Sequence, residues 1–301
     1  MENRRGKQRP KTQRITQRNT SFKRKASPDK KASTPFKDGS KSASNQDNTP
    51  STFRLNRYLA HAGIASRRKA DELIQSGVVK VNGKVITSMG HQVQFGDKVS
   101  VRGNLVQPEQ KVYILMNKPK DFLTTTDDDR GRRTVLDIIK NFPHKLKLPY
   151  TPRVYPVGRL DRMTTGVLLI TNDGELTQRL SHPKFGVKKS YLATLNKPLH
   201  PEDLELIKNG LTLEDGPIQV DSIAYEAKSE QYVVSLELHG GRNRIVRRIF
   251  EHLGYEVDRL DRLNYGGLTK KNLSRGDWRF LAKHEVEKLW QARSKTRNFK
   301  R

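Results

Sequence analysis

The sequence predicts an α+β fold, with two compact modules behind a basic tail. Three observations predict it. Beyond residue 111, strand-like and helix-like segments mix without the regular alternation of a doubly wound sheet. Residues 53–103 hold two short amphipathic helices and then strands at hairpin spacing. Residues 1–52 contain no apolar pattern able to form a core.

That first segment carries 14 Lys/Arg against four Asp/Glu, and besides Met1 its large apolar residues are Ile15, Phe22 and Phe36. Such a stretch buries too little surface to offset chain entropy and is expected to be a disordered basic tail. The whole 301-residue chain has 59 basic and 32 acidic residues, a formal net charge of +27. A field of that sign attracts polyanions, nucleic acid above all. With no cysteine, disulfides, thiolate zinc sites and thiol nucleophiles are excluded. No apolar run approaches the roughly 20 residues of a membrane span, and no secretory signal core follows Met1. A cytoplasmic protein is expected.

Order is expected from Phe53. Leu55, Tyr58, Leu59 and Ala62 recur at helical spacing up to Gly63. Ser66 can cap a second helix whose apolar stripe is Ala70, Leu73 and Ile74. Val78 to Val81 and Lys84 to Ile86 read as strands around the Asn82-Gly83 turn, with another strand at Lys98 to Val101. The turn between the helices carries Arg67, Arg68 and Lys69. Three cations at a helix start oppose its dipole, whereas a phosphate backbone beside the exposed N–H groups accounts for them. The stretches Leu55 to Ala60, Gly63 to Ala70 and Gly77 to Lys84 resemble the S4-type RNA-binding domain. The resemblance implies binding of structured RNA, and by itself no catalysis.

After a linker at 104–110, residues 111–290 suffice for a sizeable second core, followed by a basic tail at 291–301. Tyr113 to Met116, Val167 to Ile170, Lys189 to Leu195 and Tyr232 to Leu238 read as strands. Val135 to Lys140, Leu176 to Leu180, Pro201 to Asn209 and Arg244 to Leu253 read as helices. In Gly158-Arg159-Leu160-Asp161-Arg162-Met163-Thr164-Thr165-Gly166, two glycines bracket an aspartate ahead of an apolar strand. Flanked by Arg159 and Arg162, Asp161 is expected to stay ionised, and such a carboxylate can act as a nucleophile. On residue chemistry alone, a salt-bridged or turn aspartate is the commoner outcome.

This segment resembles the active-site motif of the RNA pseudouridine synthases, in the RsuA/RluB group that modifies ribosomal RNA and carries an S4-type domain. Further matches follow in order: Asn117-Lys118-Pro119, Thr171 to Leu176, Lys188-Lys189-Ser190-Tyr191, Gly241 to Phe250, and Leu260 to Gly266. The resemblance implies a mixed, largely antiparallel sheet with flanking helices. It makes Asp161 the essential carboxylate, Tyr191 the ring that packs on a flipped uracil, and Arg247 the cation paired with the aspartate. Arg244 or Arg248 remain alternatives for that pairing. Arg159 would fill the gap left by the base or contact phosphate, Arg242 and Arg244 would hold RNA, and Leu260 would wall the pocket. The chain departs from the family at Ile245, usually polar, and at Asp121, usually glycine.

Isomerising uridine to pseudouridine is redox-neutral, so no cofactor and no metal is expected, and no nucleotide or metal motif stands in the sequence. The implied partner is ribosomal RNA, acted on by a monomer. Gly210 to Pro217 sits nearer the large-subunit branch, which favours 23S rRNA. Two other readings stay open: a non-catalytic ribosome-assembly factor on the same scaffold, and a hydrolase pairing Asp161 with Asp173.

Overall fold

The computed structural model describes residues 52–94 and 96–292. The expected tail at residues 1–52 lies outside them but for its last residue, as does 293–301 of the expected C-terminal tail. Gln291, expected in that tail, closes a helix, Lys283–Gln291.

Helices α1 (Leu55–His61) and α2 (Arg67–Gln75) pack through Leu55, Leu59, Ala70 and Ile74 on a small antiparallel sheet. Ser66 accepts a hydrogen bond from the Lys69 backbone N–H at 3.3 Å, the capping expected from sequence. The sheet runs Lys84–Val85, Val79–Val81, Val99–Val101, Asn104–Val106. Its last strand overturns part of the expected linker: Asn104–Val106 pairs with Val99–Val101 and buries Val106 in the module's core. Two-residue spacing around Arg102-Gly103, both at positive φ, makes this a second tight hairpin like Asn82-Gly83.

The second module is built on a nine-stranded sheet. Five of its strands matter for the site: β1 (Tyr113–Lys118), β2 (Thr165–Thr171), β3 (Lys188–Leu195), β4 (Val233–His239) and β5 (Val257–Tyr265). Across the sheet the order is Ser222–Tyr225, β4, β3, β5, β2, β1, Trp278–Phe280. Every neighbouring pair in that order is antiparallel except β5 with β2, which is parallel. The largely antiparallel α+β architecture is therefore as expected. One face packs against helices Val135–Ile139, Pro201–Asn209 and α4 (Ile245–His252). The other is covered by α3 (Gly174–Ser181) and Lys283–Gln291. No helix among the described residues is long and apolar enough to cross a membrane.

β5 is not expected as a strand from sequence, because Asp258, Arg259, Asp261 and Arg262 break the apolar alternation. It nonetheless lies at the centre of the sheet, between β3 and β2. Gly166 permits this approach: a Cβ there would stand 2.2 Å from the Arg262 carbonyl oxygen.

Candidate active site

Asp161 lies in the loop that leads into β2. The loop is fixed from beneath by Lys118, the last residue of β1. Its fully buried Nζ donates to the carbonyls of Pro119 (3.0 Å), Asp161 (3.2 Å), Arg162 (3.1 Å) and Thr164 (2.9 Å). Burial pushes this ammonium down to about 8, with the Asp161 charge opposing. Thr124 adds a hydroxyl bond to the Leu160 carbonyl at 2.8 Å, and the Asp121 N–H donates to the Arg162 carbonyl at 2.8 Å.

Arg162, next to Asp161 in the chain, does not face its carboxylate. Arg162 turns away and donates through Nε to Asp121 at 2.7 Å, where Arg133 also binds at 3.1 Å. Asp121 stands at φ 73, a conformation natural to glycine, and its carboxylate joins those two arginines. The cations that face Asp161 come instead from α4 and the residue before it. Arg247 Nε stands 3.9 Å and Arg244 Nη1 3.7 Å from Asp161 Oδ2. Both separations are ion-pair contacts longer than a hydrogen bond, and no hydrogen bond to the carboxylate is found among the described residues.

The two arginines differ in how they are held. Arg247 is largely buried, with Nη1 donating to the Val257 carbonyl and Nε lacking a hydrogen-bond partner among the described residues. Arg244, more exposed, sits at φ 47 and also reaches Glu251 at 3.1 Å. Arg248, the third alternative, is taken up by Asp215 at 2.8 Å. Arg242 is engaged nearby, donating to the Pro217 carbonyl at 2.7 Å.

Sheet register sets where Tyr191 stands relative to the Asp161 loop. It pairs with Arg262 on β5, which pairs with Gly166 on β2, five residues after Asp161. With adjacent strands about 4.8 Å apart, the tyrosine and the start of β2 are two strands from each other. A register shift between Ser190 and Tyr191 falls at this point, the kind of bulge that re-aims a side chain. Tyr191 is buried and lines a cavity beside Gly158 and Arg159. Ile245 lines it too, so the apolar residue that departs from the family pattern meets the tyrosine's pocket. Leu260 is buried in the core with Tyr191 and Leu160 and does not line this cavity.

Asp173 answers a different need. It caps α3, accepting from the N–H groups of Glu175 and Leu176, and it also binds Tyr113 and Lys111. Asp161 and Asp173 lie beyond opposite ends of β2, a strand of about 20 Å at 3.3 Å per residue. They cannot share a scissile bond, which removes the paired-carboxylate hydrolase. In the first module Arg67, Arg68 and Lys69 are exposed, with no salt bridge among the described residues.

Sequence reasoning passed over Lys118, Lys189 and Arg262. A signal existed for the first two: each is a lysine at a position where the strand pattern places apolar side chains.

A family model described as RNA pseudouridylate synthase matches residues 112–252, and an S4 domain model matches residues 53–99. The Ribosomal large subunit pseudouridine synthase B of Bacillus subtilis is 43% identical over 239 residues, covering 78% of this chain and 95% of the relative. The Dual-specificity RNA pseudouridine synthase RluF of Escherichia coli is 34% identical, covering 80% and 79%. Among solved structures, a crystal structure of a pseudouridylate synthase superposes with a TM-score of 0.54 at 30% identity, covering 78% of this chain and 99% of that one.

Proposed function

This chain belongs to the RNA pseudouridylate synthases, and from that premise we propose that it isomerises uridine in large-subunit ribosomal RNA with Asp161 as its nucleophile. The observation that carries the site assignment is a carboxylate without a hydrogen-bonded partner among the described residues, faced by Arg247 and Arg244. The non-catalytic alternative is not favoured, since Asp161, Tyr191 and Arg247 are all present in the sequence and relatives matched over most of the chain are named as synthases.

In this reading the target base leaves its stack and enters the cavity beside Tyr191, at a cost of a few kcal/mol offset by phosphate contacts. Tyr191 packs on the uracil ring and can relay a proton. Asp161 acts on the ribose or the ring, faced by Arg247. Arg159 and Arg242 contact the RNA around the flipped nucleotide. The protein is proposed to act as a monomer, in the cytoplasm. The large-subunit preference rests on the Bacillus relative's name and on the segment at 210–217. The relative named as dual-specificity makes it a point for experiment.

The test is tritium release from RNA labelled at uridine C5. The purified protein is expected to act on large-subunit RNA well above small-subunit RNA, in excess chelator and without added nucleotide. Pre-folded RNA keeps magnesium's effect on the substrate apart from chemistry. Loss of activity in chelator that one divalent ion restores would contradict the metal-free reading.

The first module is proposed to select the site and the basic tail to add affinity. Replacing Arg67, Arg68 and Lys69 by alanine is expected to lower modification of the true uridine about tenfold or more, because the folded scaffold then presents three fewer cations to the phosphate backbone. Removal of residues 1–52 should instead flatten the salt dependence of binding and leave the modified uridine unchanged. Site-resolved mapping with both variants at two salt concentrations decides it. Tail removal that redirects modification, with the triple variant indistinguishable from wild type, would overturn the division.

A further inference from the structure

Lys189 breaks the alternation of β3. Along that strand Lys189, Tyr191, Ala193 and Leu195 are the buried positions, and only the first is charged. A second cation is more deeply enclosed: Arg262, 2% exposed, is the cross-strand partner of Tyr191. Both line the cavity that Tyr191 and Ile245 border, a space of about 140 Å³, more than a single water requires. Arg159 and Arg242 line it as well, and no carboxylate does among the described residues.

Neither buried cation is fully used. Lys189 donates to the Gly240 carbonyl, leaving two of its N–H groups, and lies 5.7 Å from the Tyr265 ring centre. Arg262 donates through Nε to the Val167 carbonyl at 2.7 Å, while its buried Nη2 has no hydrogen-bond partner among the described residues. Buried charges without a counter-ion are costly. Burial, with Arg262 adding to it, lowers Lys189 to about 8, so it is still mainly the ammonium at neutral pH. A pocket with this lining suits a ligand that is planar, has carbonyl acceptors and becomes anionic.

We propose that Lys189 and Arg262 form a cationic seat that stabilises the uracil ring as it takes on negative charge during cleavage of its glycosidic bond. The inference rests on the reading that the flipped base packs against Tyr191. When C1′–N1 breaks, its electron pair leaves with the base and spreads over N1 and the carbonyl oxygens. On the sugar side, Asp161 either lends an electron pair to C1′ or accepts a ribose proton, and reverses that step later. C5 then bonds to C1′, and the proton it loses is passed to N1. Atoms and electrons balance, and the charge that the seat neutralises exists only between the two bonds. Donors aimed at developing charge in a water-poor pocket act on the rate rather than on substrate affinity.

The experiment uses full-length Lys189→Met and Lys189→Arg proteins in single-turnover assays at saturating enzyme, on RNA carrying uridine or 5-fluorouridine at the target. Fluorine stabilises the base anion by withdrawing electrons, so cleavage then depends less on the cation. Lys189→Met is expected to slow uridine isomerisation about 100-fold, the scale of one lost oxyanion donor, and 5-fluorouridine rearrangement by about tenfold or less. Lys189→Arg, which keeps the charge, should retain most of the activity with either base. Equal losses with the two bases would mean that Lys189 only supports structure, and would overturn the proposal. So would a weaker RNA affinity with a shallower salt dependence at unchanged rate, the mark of a phosphate contact. Failure of the underlying function would appear separately, as wild-type protein that isomerises neither base.

Discussion

Asp161→Asn is expected to reduce isomerisation by at least about 10⁴-fold, the scale seen when a nucleophile that works with its neighbours is removed. RNA affinity should stay within about twofold of wild type, because the phosphate-binding surface keeps its charge. Asparagine has nearly the same shape, and the loop beneath it is held through backbone carbonyls rather than through the carboxylate. The variant should therefore fold normally. What it loses is the negative charge facing Arg247 and Arg244. Tritium release measured beside a binding titration separates the two effects. Activity within tenfold of wild type would remove Asp161 from the chemistry.

Lys118→Met is expected to have the second largest effect, although Lys118 touches no substrate. Three carbonyls of the Asp161 loop and that of Pro119 converge on one buried ammonium. Methionine fills a similar volume and donates nothing, so buried acceptors lose their partner at about 1–3 kcal/mol each where water cannot replace it. The loop that carries Asp161 then drifts, and a displacement of about 1 Å can cost about 100-fold in rate. We expect a fall in kcat of about 100-fold or more, with a lower Tm and a nearly unchanged KM. The wild type should show a related alkaline limb. Lys118 and Lys189 are both pushed down to about 8 by burial. As pH rises through that value each loses its proton, so the clamp beneath Asp161 and the cationic seat weaken together. A single-turnover rate that stays level up to pH 9.5 would contradict this.

Much of this molecule is legible before its structure. The S4-type module follows from helical spacing, a serine cap and an Asn-Gly turn, each a local signal that the fold leaves intact. Pro201–Asn209 is placed to the residue because a proline starts it and a glycine follows. The motif order around Asp161 points to the family, and the comparisons agree. Tertiary relationships are less legible. β5 hides behind its own charges, since Arg262 and Asp261 are buried or paired by partners far along the chain or across a turn. The true neighbours of Asp161 are obscured for the same reason. Adjacent Arg162 is drawn to Asp121, while Arg247, 86 positions away, is brought close by α4. Chain proximity does not decide ion pairing when a loop can turn one side chain outward.

The most direct test of the account is site-resolved pseudouridine mapping of ribosomal RNA from cells that lack this protein, complemented with either wild type or Asp161→Asn. One or a few uridines in large-subunit RNA are expected to lose their modification, wild type to restore them, and Asp161→Asn to restore none. An unchanged map, or full restoration by Asp161→Asn, would contradict it.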